Sequence, residues 1–262
     1  MDALTTSSGV TERKGPLSVD RVLGVIGAIA VSKDGMTLTG LSETMSTPKT
    51  SLLNLLPGLV QAGYLQKQAK MYVLGPSAFE LASQIIHTKP DPIRYVQPLL
   101  QRLALDADKT VTLAVLADNE RMILHVAKEE PPDAMRFSVE VGAQAPVHTT
   151  AGGRVMLAFG SGAWSKEYLL NAQLSSRTSR SIIDKKDLQT SIANVKIRGY
   201  AVTRGETYET VGAISAPVFD RNGFAFALVA AGAVEKISRQ EKALSDMVKK
   251  TADEISQRLM SI

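Results

Sequence analysis

Two stretches of this 262-residue chain gather groups that can do chemistry. The first, "APVHTTAGGRVMLA" over residues 145–158, sets a histidine, two hydroxyls and two glycines just ahead of an apolar, helix-like run. Glycines at that place let a ligand approach the backbone, and free N–H groups at a helix start favour an anion. The hydroxyls of Thr149 and Thr150 and the N–H groups near Ala151, Gly152 and Gly153 suit a carboxylate. The second stretch, "STPKTSLLNLLPGLVQAG" over 46–63, reads as a helix with Thr47 as N-cap and Pro48 at the first helical position. Leu52, Leu55, Leu56 and Leu59 recur at helical spacing, while the polar Lys49, Thr50, Ser51 and Asn54 gather at the front. With the leucines inward, Thr50, Asn54 and Gln61 face outward. Pro57 deletes a backbone hydrogen bond and clashes with the preceding turn, so a kink or an early end to the helix is expected.

Other chemistries find little support. With no cysteine, disulfides and thiolate sites are excluded. The three histidines, His87, His125 and His148, are far apart, and no HExxH spacing occurs, so no metal site and no cofactor is expected. There is no GxSxG elbow and no P-loop. A hydrolase using His148 with Ser215 and Glu206 is the weaker, enzymatic alternative. No apolar run approaches the roughly 20 residues of a membrane span. Residues 1–15 lack an apolar core of a signal peptide and read as a polar tail, which points to the cytoplasm. The net charge of +4 permits a polyanionic partner without requiring one.

The elements that must position these groups fall into two sets. "SVDRVLGVIGAIA" places Val19, Val22, Leu23, Ile26 and Ile29 on one helical stripe. "TLTGLSETMS" forms a short second helix, and the 46–63 helix follows. "GYLQKQAKMYVLGP" reads as a β-hairpin with Lys67 and Lys70 near its tip. Three short helices and a hairpin are the order of a winged helix-turn-helix. A further short helix, "PSAFELASQII", precedes "HTKPDPIRY", whose breaking signals mark a domain boundary.

Beyond it, "RYVQPLLQRLALDAD" is a helix with an internal Pro98. "TVTLAVLA" and "RMILHVAK" form a hairpin, and "RFSVEVG" is a further strand. Helices cover 165–172 and 184–198; "GYAVTRGE", "GAISAPVFD" and "GFAFALVAAGA" are strands. The last helix starts at a capping box of Ser238 and Glu241 and buries Leu244, Met247, Val248, Ile255 and Leu259. Helices flanking an antiparallel sheet give an α+β class.

Together these motifs resemble the IclR family of bacterial transcription regulators, from about residue 16 to 260. The carrying pieces are "SVDRVLGVI", "STPKTSLLNLL", "GYLQ…YVLGP", "PLLQRLA", "VGAQAPVHTTAGGRVMLA" and "RGYAVTRGETYETVGAISAPVFDRNG", in the family's order and spacing. The resemblance implies a winged helix-turn-helix over 16–76, a linker helix and connector over 77–92, and a GAF-like effector-binding and oligomerisation domain over 93–262. It implies double-stranded DNA, a small-molecule effector and a second copy of the chain, as dimer or tetramer, as partners. No membrane enters.

In a helix-turn-helix the second helix presents its N-terminal residues to the major groove. That makes Thr47, Lys49, Thr50, Ser51 and Asn54 the base- and phosphate-facing set, with Arg21, Lys67 and Lys70 as further phosphate contacts. Over 13–80 there are seven basic residues against four acidic, a modest excess, so dimerisation and groove fit must share the work. The matches to the family's pocket motifs are His148, Thr149, Thr150, Ala151, Gly152, Gly153, Glu206, Ala213 and Ser215. For Glu206, orienting a loop fits better than touching ligand. For Gly152 and Gly153, close packing competes with ligand access. The chain departs from the family at Asn54, where arginine is usual, at Ala213, often cysteine, at Thr210, often glycine, and at Arg154, commonly lysine. The expected function is transcription control of a catabolic or transport operon by a small, aromatic or carboxylic effector. A sensing protein with reduced DNA binding is the alternative that Pro57 and Asn54 keep open.

Overall fold

The computed structural model describes residues 17–32, 34–88, 92–132 and 139–261. The tail 1–15, and residues 136–138 of the expected strand at 136–142, lie outside the described residues. The chain divides into two compact units between Pro90 and Asp91.

The first unit runs α1 (Leu17–Ala30), β1 (Met36–Thr37), α2 (Leu38–Thr44), α3 (Lys49–Gln61), β2 (Leu65–Gln68), β3 (Met71–Leu74) and α4 (Pro76–Thr88). Its core joins Val25, Ile29, Leu41, Leu52, Leu56, Leu59, Leu65 and Tyr72. The hairpin forms as expected, and β1 adds a third, antiparallel strand beside β3. The stripe of α1 is rotated from the expected one. Val25 is buried, with Val22 and Ile26 packed beside it, whereas Val19 and Leu23 are 52% and 63% exposed. The helix is apolar on most sides, so periodicity alone could not select which face the core would take.

Two expectations for α3 are corrected. Thr47 is not its N-cap: Pro48 holds that place without a side-chain bond. The Thr47 hydroxyl instead donates to the carbonyl of Met45 (3.0 Å), tying down the turn after α2. Nor does α3 end early at Pro57; it continues to Gln61, with Leu59 buried. The carbonyl that a residue other than proline would bond at position 57 belongs to Leu53, itself half exposed, so water can satisfy it.

The second unit begins with α5 (Pro92–Ala107), followed by β4 (Thr110–Leu116), β5 (Met122–Glu129), β6 (Gln144–Pro146) and α6 (Ala151–Phe159). It continues through α7 (Gly162–Asn171), α8 (Lys185–Arg198), β7 (Ala201–Arg204), β8 (Val211–Asp220), β9 (Gly223–Ala233), α9 (Val234–Arg239) and α10 (Glu241–Met260). The six strands form one antiparallel sheet in the order β6-β5-β4-β9-β8-β7. Alternation along the strands builds two cores. Leu113, Ile214, Leu228 and Ala230 face Leu99, Leu103, Leu244, Val248 and Ile255 of α5 and α10. Ala114, Ile123, Ala227 and Val229 face Val155, Met156, Leu188 and Ile192 of α6 and α8.

The register shifts between Leu113 and Ala114, so that Ala127 and then His125 are their partners across β5. This bulge skips Val126 and re-aims His125. Residues 139–142, the described part of the expected strand, carry no strand, while the short β6 was not foreseen. The expected capping box is absent: Ser238 lies inside α9, and α10 starts at Glu241, with Gln240 at its N-cap making no side-chain bond. No helix among the described residues is long and apolar enough to cross a membrane.

Candidate functional site

At the front of α3, Lys49, Thr50 and Asn54 are exposed and Ser51 half-buried, with Leu52, Leu56 and Leu59 turned into the core. Four residues separate Thr50 from Asn54, so the two share one helical face. Lys67 on β2 and Lys70 in the Ala69–Lys70 turn are exposed at the other end of the hairpin. The ammonium of Lys67 lies 5.8 Å from the centre of the Tyr72 ring. Ala69 takes φ +55°, a conformation the tight hairpin turn requires. Arg21 is half-buried on α1.

The second unit contains a cavity of about 430 Å³ between the start of α6 and one face of the sheet. Of the nine residues expected around the effector, it brings together Thr150, Ala151, Gly152 and Ala213. Thr150 caps α6, accepting from Gly153 N–H (3.1 Å) while donating to the carbonyl of Pro146 (2.9 Å). The N–H groups of Ala151 and Gly152 have no partner among the described residues and remain at the cavity end of the helix. A Cβ on Gly152 would meet Val229 at 3.2 Å and Ala227 and Ile123 at 3.5 Å, so this glycine leaves room in the cavity.

The other five do not line it. His148 is buried elsewhere, with Nε2 2.9 Å from the Ser175 carbonyl and Nδ1 3.3 Å from the Tyr168 hydroxyl. Burial lowers the pKa of His148 and raises that of Tyr168 to about 12. Thr149 is fully buried, with its hydroxyl oxygen 3.1 Å from that of Thr207. Gly153 is there for packing: a Cβ would fall 2.1 Å from the Val147 carbonyl oxygen. Glu206 forms a two-pronged ion pair with Arg154, one prong at 3.1 Å, and Arg154 also donates to the His148 carbonyl (3.3 Å). The loop carrying Glu206 is held by Thr178 on Gly205, Ser181 on Glu206 and Thr207 on Thr149, at 2.6, 2.7 and 2.9 Å.

Ser215 is fully buried, and its hydroxyl has no hydrogen-bond partner among the described residues. His148, Glu206 and Ser215 thus bond to other groups or to none, never to one another. That removes the arrangement on which the hydrolase alternative rested.

The residues missed from sequence are mostly on the other strands. His125, Thr112, Thr203, Val211 and Ile123 line the cavity beside Val229 and Ala231 of β9, a strand expected from sequence as its wall, and Glu140 and Gln144 complete its β6 side. His125 Nδ1 lies 3.0 Å from Thr112 Oγ1. Burial pulls the pKa of His125 down to about 4, so the ring is neutral at pH 7. The one signal in the sequence was a polar residue in the middle of "RMILHVAK", where the alternation of a half-buried strand expects an apolar one. Among the described residues no lysine or arginine lines the cavity.

This architecture has known relatives. The IclR helix-turn-helix domain matches residues 18–69, and the bacterial transcriptional regulator IclR C-terminal domain matches 87–257. The Pca regulon regulatory protein of Pseudomonas putida is 28% identical over 207 residues, 79% of this chain and 70% of that protein. The transcriptional repressor IclR of Escherichia coli is 24% identical over 243 residues, 91% of this chain and 88% of that one. Among solved structures, an IclR homologue of Microbacterium hydrocarbonoxydans complexed with 4-hydroxybenzoate has the same fold, with a TM-score of 0.79 at 19% identity, covering 94% of this chain and 100% of the other. With both of its units matched in order, the chain belongs to the IclR family of bacterial transcriptional regulators.

Proposed function

We propose that this regulator answers to a small organic monoacid with an apolar body, bound in the cavity beside α6, and controls an operon for that acid's use or transport. The observation that carries the reading is the pair of unpartnered N–H groups, Ala151 and Gly152, at the start of a helix that opens on an otherwise largely apolar cavity. A carboxylate there gains two backbone hydrogen bonds and the favourable end of the helix dipole. Ile123, Ala213, Val229 and Ala231 offer a wall for a ring or chain. The 4-hydroxybenzoate bound by one structural relative points the same way.

On the DNA side, Lys49, Thr50, Ser51 and Asn54 meet the major groove; Arg21, Lys67 and Lys70 meet phosphates; Thr47 positions α3. The effector domain extends over 93–262, joined through 77–92 to the winged helix-turn-helix of 16–76. The protein works on DNA in the cytoplasm, as a dimer or tetramer, and does no chemistry on its effector. Binding shifts a population between arrangements of the effector domains and so the spacing of the two reading helices.

The test is fluorescence anisotropy of the full chain on DNA from upstream of its own gene, with and without benzoate, 4-hydroxybenzoate and hexanoate. Specific binding that at least one acid changes is expected. Binding that no acid changes overturns the acid reading, and no specific binding overturns the DNA reading.

A further inference from the structure

His125 offers the cavity a second polar group, on a strand remote from α6. It is 8% exposed, and Thr112, which holds its Nδ1, is 2% exposed. The pair has two forms with the same count of hydrogen bonds: the Thr112 hydroxyl donates to Nδ1 and the ring proton sits on Nε2, or the ring donates from Nδ1 and Nε2 is a bare acceptor. In either form Nε2 has no hydrogen-bond partner among the described residues, and His125 lines the cavity. Its backbone is tied to the segment ahead of β6: the His125 N–H donates to the Ala143 carbonyl (3.0 Å), and its carbonyl accepts from Gly142 N–H (2.8 Å).

The two sets of polar groups stand apart. Val229, directly under Gly152, pairs with Thr112 on β4, and His125 sits one strand further, on β5. At about 4.8 Å between strands, the backbones of Val229 and His125 are roughly 10 Å apart. A ring or short chain fits between. Charge narrows the class of group at the far end. Glu140 lines the cavity with its carboxylate on Lys128 Nζ (3.3 Å), and among the described residues no lysine or arginine lines it, so a second carboxylate would have to compete for an ammonium that Glu130 and Glu140 already share.

We propose that His125 is a specificity-determining residue, whose Nε2–H takes a neutral second oxygen, a hydroxyl or carbonyl, at the end of the effector away from its carboxylate. The effector is then an oxygenated monoacid rather than a plain acid or a diacid. This rests on the acid reading given above.

The test is titration calorimetry of the full chain and of two variants, His125→Asn and His125→Gln. The probes are benzoate, 3-hydroxybenzoate, 4-hydroxybenzoate, hexanoate and 6-hydroxyhexanoate. Asparagine places its amide near the Nδ1 position and leaves the Nε2 position empty; glutamine reaches the Nε2 position with an N–H. The parent should prefer one oxygenated acid over its plain counterpart by about tenfold, the worth of one buried hydrogen bond. That preference should vanish in His125→Asn and persist in His125→Gln.

Long-range ¹⁵N–¹H spectra of the parent keep the test independent of how the variants fold. His125 should read as the Nε2–H form, and its Nε2 signal should move with the oxygenated acid and stay with the plain one. A parent that prefers the plain acid, a preference intact in His125→Asn, an Nδ1–H ring, or equal loss for both acids overturns the proposal while leaving the acid reading standing. A parent that binds none of the probes overturns both.

Discussion

Asn54 and Lys49 sit five residues apart on exposed α3 positions, and they call for different chemistry. Lysine is a point charge suited to phosphate, whereas the amide of asparagine can pair bidentately with adenine. Lys49→Ala should therefore weaken binding to operator and random DNA alike and flatten the salt slope by about one. Asn54→Ala should cost about 1–3 kcal/mol on the best site and relax preference at one or two base pairs. Anisotropy titrations at several salt concentrations separate the two; equal losses on both DNAs for both variants would reject the assignment. His125 carries a different consequence. Its folded pKa, near 4, is below its unfolded value of 6.5, so between those values the unfolded chain binds more protons. Its contribution is full above pH 6.5 and is lost as pH falls through 4, about 3 kcal/mol in all. His125→Gln should lessen the fall in urea-unfolding stability between pH 7 and pH 5. The decline will not disappear, because burial shifts His148 in the same direction.

At the scale of elements, α3 and α6 each bend a local rule. Pro57 lies within α3 at an exposed position, and the helix runs through it. Pro57→Ala restores a donor toward Leu53 and relieves the ring, and should raise the opening free energy of the α3 amides by about 1–3 kcal/mol in hydrogen exchange. Unchanged protection would mean that the helix accommodates the ring without strain. In α6 the two adjacent glycines serve different ends. Gly153 admits the Val147 backbone, so any side chain there disrupts the fold, whereas Gly152 opens onto the cavity. Gly152→Val should abolish the response to acids while specific DNA binding persists. Calorimetry and anisotropy on that variant decide it; unchanged acid affinity would place the effector elsewhere.

At the scale of the whole molecule, one chain carries one winged unit and one sensing unit, divided between Pro90 and Asp91. A single reading helix covers only part of a turn of DNA, and two-fold regulators place two such helices in successive major grooves, about 34–36 Å apart. The full chain should sediment as a dimer or tetramer at micromolar concentration, and its footprint should span a near-palindrome with half-sites one helical turn, or a multiple of it, apart. Monomer that still binds operator as monomer would contradict this.

The sequence by itself determined which elements exist, their order, and the family. Turn signals and apolar periods are local properties, and they located α3, the 65–74 hairpin and nearly all of the strands of the second unit. What it left open were choices between faces and partners. Nothing in "SVDRVLGVIGAIA" says that Val25 rather than Val19 meets the core, because both faces are apolar and only packing against α2 and α3 selects one. His148 and Glu206 stand in a motif that suggests a pocket, yet the tertiary structure spends them on Tyr168, Ser175 and Arg154. His125, solitary in its strand sequence, becomes a cavity wall because a bulge and two neighbouring strands bring Thr112 and Gly152 to the same face of the sheet. Hydrogen-bond partners distant in sequence are set by strand register, which no local period encodes.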